Sequence, residues 1–280
     1  MLDTFTSDLR QWIKTNIEVS KIMTISSWNY NYTSNDYSSL KACLEGMEKS
    51  DNFTPARSHR IYHKRQPLIS VGDAFGGLYI LRSGSAKTIT MSADGEEYIT
   101  NFLYPGDLIG VDGFDQHIHI HNVFFLETSS VCFIKESDLN ELVRNRDDFR
   151  HCLLKEISHM LTRNSSMLMC LSSYSSEQKV AHFILERASH FASLGLCGTQ
   201  FRLSMSRTDI ANYLGMALET VSRVFANFQL RQLVTVINRQ LSILDITALS
   251  DIVSRDPSFN SLSTSLNSKI SMTEHPSFPN

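Results

Sequence analysis

Long apolar runs are missing from this sequence. No stretch approaches the roughly 18 consecutive apolar residues that a membrane-spanning helix needs, and the N-terminus, MLDTFTSDLRQWIK, lacks the apolar stretch of a signal peptide. A membrane role is therefore not expected, and a cytoplasmic address is. Cysteine is sparse too: Cys43, Cys132, Cys152, Cys170 and Cys197 form no CxxC pair and no disulfide-like framework. Reduced thiols in a cytosol fit that usage. An overall excess of positive charge is also lacking, since 26 Lys and Arg face 29 Asp and Glu for a net charge of −3. The distribution is more telling than the total. Residues 201–240 hold Arg202, Arg207, Arg223, Arg231 and Arg239 against only Asp209 and Glu219, a basic island in an acidic chain.

At 280 residues the chain has room for two domains and a sizeable core. Residues 1–54 are polar and variable in character. Residues 55–146 carry short β-like runs broken by glycine, with hairpin signals at ADGEE and YPGD, and predict an antiparallel β-roll or sandwich. Residues 147–173 read as one long helix in which Leu154, Ile157, Leu161, Asn164, Leu168 and Leu171 recur at alternating spacings of three and four. Such a stripe is a coiled-coil seam, and a lone Asn inside it fixes register between two paired helices. An amphipathic helix packed on its own domain has the same periodicity. Met160, Met167, Met169 and Cys170 read as packing residues of this dimer helix. Residues 174–247 form a third block that ends in two strands with a turn near Asn238, and a short helical candidate follows Asp245. The serine-rich tail, assigned to 248–280, has too few apolar residues for a core.

The third block holds the sharpest motif, DIANYLGMALETVSRVF at 209–225. Ser206 and Asp209 form a capping pattern for a helix starting near Arg207, and Gly215 ends it. A second helix is predicted over about 217–229. Ala211, small, and Val221, branched and apolar, fall at the offsets of a helix-turn-helix, and the following hairpin supplies a wing. Two ordinary packed helices around a glycine are the bland alternative. Glu219, Ser222 and Arg223 share one face at the start of the second helix. A carboxylate repels phosphate but accepts a hydrogen bond from the cytosine N4 amine, and an arginine donates two to guanine O6 and N7. Glu219 thus reads as a base contact; a first-turn acid stabilised by the helix dipole is the other account. Arg202, Arg207, Thr220 and Arg231 are candidate phosphate contacts, and the arginines would look the same as solvated surface charges.

These residues carry a resemblance. FRLSMSRTDIANYLGMALETVSRVFANFQ, LYILRSGSAKT, GEEYITNFLYPGDLIGVDGF and LETSSVCFI resemble the CRP/FNR superfamily of bacterial transcription regulators, its FNR branch most closely. The resemblance spans about 55–245 and implies an α+β fold: an N-terminal antiparallel, jelly-roll β-roll of the cyclic-nucleotide-binding type, a long dimerisation helix and a C-terminal winged helix-turn-helix. It further implies a homodimer on a palindrome with TTGAT-like half-sites, read by Glu219, Ser222 and Arg223, and activation through RNA polymerase. Two departures stand out. Residues 1–42 contain no cysteine and Cys43 stands alone, so the branch's four-thiolate iron–sulfur cluster is not expected, and Cys132 reads as a small buried strand residue. The phosphate-holding stretch of cyclic-nucleotide binders is replaced by GVDGFDQHIHIHNVFF, so cyclic AMP is not expected either. No effector is identified. A dimer competent without ligand and one switched by a ligand or oxidant both remain open.

In that same stretch, His117, His119 and His121 would share one face of a strand. They raise a rival reading as a metal sensor or a metal-dependent cupin-like enzyme. The cupin pattern fits poorly, because Glu127 follows His121 by six positions. An exposed hairpin of alternating polar residues accounts for the same letters.

Overall fold

The computed structural model describes residues 59–254. Eight strands, β1 (His59–Tyr62), β2 (Pro67–Ile69), β3 (Gly77–Ser83), β4 (Ala86–Met91), β5 (Glu97–Leu103), β6 (Leu108–Ile109), β7 (Asn122–Phe125) and β8 (Ser129–Lys135), build two four-stranded antiparallel sheets. Their orders are β1-β8-β3-β6 and β2-β7-β4-β5, so the chain crosses repeatedly between sheets and closes the expected roll. Between the sheets lie Ile69, Leu81, Ala86, Leu103, Ile109, Val123, Phe125 and Val131. Cys132, on β8, is buried with Phe75, Leu78, Ile80 and Phe149, in keeping with a small apolar role.

A ten-residue helix, α1 (Glu136–Asn145), buries Leu139 and Leu142 against the roll. The long helix α2 (Asp147–Ser173) follows, about 40 Å of helix at 1.5 Å per residue. One face packs on its own chain through Phe149, Cys152, Leu153, Met160, Met167 and Cys170. Met160, Met167 and Cys170 thus pack at least in part on the chain's own core.

Helix α3 (Ser176–Ser193) begins at a capping box in which the Ser175 hydroxyl accepts from the Gln178 amide and the Gln178 side chain accepts in return. Strand β9 (Gln200–Arg202), helices α4 (Arg207–Tyr213) and α5 (Leu218–Leu230), and the hairpin β10 (Val234–Ile237) and β11 (Gln240–Ile243) complete the last block, with β9-β11-β10 as one small sheet. The hairpin turns through left-handed Asn238 and Arg239. Helix α6 (Ile246–Ser254) carries ordered structure past the tail boundary at 247/248: Leu249 and Ile252, three residues apart, are buried against the core shared with α3. The remainder of the tail and residues 1–58, including Cys43, lie outside the described residues.

The last block does not stand apart from the roll. Ile89, Ile99 and Phe102 of the β2-β7-β4-β5 sheet, with Tyr104 just past β5, share one core with Phe183, Ile184, Tyr213 and Val221. Phe102 lies 5.0 Å, ring centre to ring centre, from Tyr213. Buried charges tie the same junction. Asp107, in the β5–β6 turn, accepts from Arg163 of α2 at 2.9 Å, and Arg187 pairs with Glu186 at 2.6 Å while lying over the Tyr104 ring.

Candidate nucleic-acid interface

Ser206 opens α4 with both bonds of a capping box: its hydroxyl accepts from the Asp209 amide at 3.0 Å, and Asp209 accepts from the Ser206 amide at 2.8 Å. Gly215 takes φ +59° between α4 and α5, a left-handed conformation that glycine adopts without strain. Ala211 and Val221 are buried where the helices meet. The core face of α5 is Val221, Val224, Phe225 and Phe228. Its opposite face presents Glu219, Ser222 and Arg223 to solvent. Among the described residues none of these three side chains makes a hydrogen bond or ion pair, and the residue preceding the helix, Ala217, offers no side-chain cap. Glu219 therefore does not close a backbone cap, and it does not neutralise Arg223 one turn later. Both are free to meet an outside partner.

The four phosphate candidates are not equivalent. Arg202 is exposed on β9, paired in register with Gln240 of the wing, and Thr220 is half-buried on α5. Arg207 lies over Phe225, its guanidinium carbon 3.3 Å from the ring centre. Burial lowers its guanidinium to about 10, and Nη1 has no hydrogen-bond partner. Arg231, at the far end of α5, is engaged by Glu177 at 3.2 Å, and Asn227 donates to the same carboxylate at 2.7 Å.

On α2 the predicted seam stripe lies largely outward, with Ile157 half-buried. Leu154, Leu161 and Leu168 are 60, 63 and 69% exposed, and Asn164 and Leu171 are exposed with them. The exposed leucines of this stripe are not covered by the chain's own domains.

The histidine segment is neither strand nor polar hairpin. His117 is left-handed at φ +55°, which breaks the alternation, and the segment's β-pairing is limited to one isolated bridge, Ala74 to Ile118. His119 turns inward, is buried, and pairs with Asp112 at 3.2 Å beside Phe75. His121 meets the Thr90 hydroxyl at 2.8 Å, while His117 lies exposed 3.7 Å from Glu136. Asp112 also accepts from the Ile120 and His121 amides, so its carboxylate organises the segment. Among the described residues no three His, Cys, Asp or Glu side chains gather as a metal site, and no helix is long and apolar enough to cross a membrane.

Comparison with known proteins agrees with this geometry. Residues 178–252 match the Crp-like helix-turn-helix domain, and residues 59–146 match the cyclic nucleotide-binding domain. The chain is 38% identical over 206 residues to the transcriptional activator protein Anr of Pseudomonas protegens, covering 74% of this chain and 84% of that protein. It is 31% identical over 237 residues to the fumarate and nitrate reduction regulatory protein of Yersinia pestis, covering 82% and 94%. The fold matches FixK2 from Bradyrhizobium japonicum with a TM-score of 0.64 at 22% identity, over 70% of this chain and 96% of that one. The cupin-like enzyme reading falls here, because these relatives are regulators. With its roll, long helix and winged helix-turn-helix in order, the chain belongs to the CRP/FNR family of DNA-binding transcription regulators.

Proposed function

We propose that the protein works as a homodimer, paired in parallel through the leucine stripe of α2, and that it activates transcription from a palindrome with TTGAT-like half-sites by contacting RNA polymerase. The observation that carries the reading is the unpartnered face of Glu219, Ser222 and Arg223 at the start of α5, because N-terminal residues of a recognition helix reach base edges. TTGAT contains a single G·C pair. Arg223 donates to its guanine and Glu219 accepts from its cytosine, with Ser222 beside them, so one base pair satisfies both charges. Arg202 and Thr220 contact phosphates, Arg207 does so through its solvent edge, and Arg231 joins them where Glu177 releases it. The activator role follows relatives such as Anr, a transcriptional activator protein, and the half-site is what the resemblance to the FNR branch implies.

The experiment is binding of the purified, ligand-free protein to a TTGAT palindrome, to the same site with its G·C pairs exchanged for A·T, and to a scrambled control, all at one stated salt concentration. Selective dimeric binding that is lost on the exchange supports the reading and makes the ligand-free dimer competent. Equal binding to all three overturns it.

A further inference from the structure

Strand β5 is an edge of its sheet, and an edge strand carries a row of unpaired backbone groups. Here a side chain from the helix-turn-helix takes that place. Residues two apart on a strand aim their backbone groups the same way. Asn212 of α4 uses both ends of its amide on such a pair: its Oδ1 accepts from the Ile99 amide at 2.6 Å, and its Nδ2 donates to the Glu97 carbonyl at 2.8 Å. Asp209, three residues earlier on α4, accepts from the Lys87 ammonium of β4 at 2.7 Å. Tyr213, the next residue, lies against Phe102 of β5. Residues 209, 212 and 213 fall on one face of a helix, so α4 docks on the roll along a single stripe. The recognition face of α5 stays open in this arrangement.

We propose that this contact is a clasp that fixes the helix-turn-helix on the roll and thereby sets the separation of the two recognition helices in the dimer. Lys87 and Asn212 are then positioning residues for DNA binding, although neither meets DNA. The proposal rests on the dimeric, DNA-reading function given above. Half-sites on a duplex lie a helical turn or a multiple of it apart, about 10–10.5 base pairs. One inserted base pair shifts a half-site by about 3.4 Å and rotates it about the axis. A clasped dimer resists that change, whereas a dimer whose reading domains pivot accommodates it.

The test compares the wild type with Lys87→Met, Asn212→Ala, the double variant and the conservative Lys87→Arg. Asp209 is left intact because it also caps α4. Affinity is measured for palindromes at the preferred spacing and at one base pair more or less, and hydrogen exchange of β5 and α4 is followed without DNA. The double variant is expected to lose at least about fivefold of the wild type's spacing discrimination, the lower range of site-to-site coupling. It keeps its preference for the half-site sequence and exchanges β5 amides faster, while Lys87→Arg behaves as wild type. Unchanged spacing discrimination, or unchanged exchange, in a folded variant overturns the clasp. If the wild type shows no sequence preference at all, the DNA-reading proposal falls, and the exchange measurement still decides whether Asn212 holds the edge. Lys87→Met alone, altering a partly exposed side chain, keeps the test open should Asn212→Ala fail to fold.

Discussion

An acid on a DNA-reading surface weakens every contact with phosphate, so in the proposed reading Glu219 acts through difference. Its repulsion is offset only where a cytosine amine is in reach, which converts a general penalty into selectivity. Replacing Glu219 with Ala is expected to relax base preference while leaving non-specific affinity unchanged or raised, as competition binding on matched and mismatched sites reads out. A uniform drop on all sequences would argue against base reading. Arg223→Ala, by contrast, costs about 1–3 kcal/mol on the cognate site. Two other residues, buried Glu156 and His190, set a pH dependence by opposition. Burial pushes the Glu156 carboxyl up to about 7, with Asp107 adding to the rise and Arg163 resisting it. A folded value above the ordinary 4.5 means that the folded chain holds the proton more tightly. That contribution is complete below about 4.5 and is lost as pH rises through 7. Burial lowers His190 to about 4, against the pull of Asp107. Its contribution is therefore present above 6.5 and lost as pH falls through 4. Each swing is about 3 kcal/mol in size, and the two cancel over their shared window. Urea midpoints at pH 5 and 7 should then differ little in the wild type. Glu156→Gln should make stability rise with pH over that interval, and His190→Gln should make it fall. Parallel profiles for all three proteins would refute the opposition.

At the scale of elements, α2 carries the strongest test of assembly. A leucine moved from water into a dimer seam is worth about 1.5–3 kcal/mol, and in a symmetric pair each substitution acts twice. Leu161→Glu should give a monomer by sedimentation and abolish tight binding to the palindrome. Asn164→Leu should strengthen the dimer while loosening its register, because a polar seam residue trades stability for alignment. The helix bounds, the helix-turn-helix and the wing were legible in the sequence, since each rests on a local rule: a heptad stripe, a Ser–Asp cap at 206 and 209, a glycine at 215 and a turn at Asn238. The histidine segment was not legible. Its letters alternate as a strand's do, but Asp112, upstream of it, gathers the Ile120 and His121 amides and draws in the His119 ring. Alternation counted along a chain cannot register a carboxylate that reorganises the backbone from outside the window. Helix α1 escaped notice for a simpler reason: with Leu139 and Leu142 its only fully buried residues, it offers barely one apolar stripe.

Over the whole molecule, the clasp was hidden because the β2-β7-β4-β5 sheet is covered on both faces. Ala86 points into the roll while Ile89, three residues on, joins the core shared with the helix-turn-helix. A sheet buried twice loses the simple in-and-out pattern that marks a surface strand, and nothing local in KTITM or EYITNF names α4 as the cover. Charge is organised at this scale as well. A chain with a net charge of −3 repels DNA overall, so binding depends on a small number of cations presented at the interface, and the salt dependence of affinity counts them. Each phosphate neutralised contributes about 0.9 to the slope of log affinity against log salt. Arg202 is exposed beside the wing, and the proposed dimer carries two copies of it. Its replacement by Ala should lower the slope by about 2 without changing base preference. Arg231 begins from a different state, because Glu177 already holds it. Its replacement should lower the slope by less than Arg202→Ala does, while Glu177→Gln, which frees the guanidinium, should steepen the slope relative to wild type. If Arg231→Ala instead matched Arg202→Ala, the Glu177 pair would have to open on DNA, and the far end of α5 would count as part of the phosphate-binding surface.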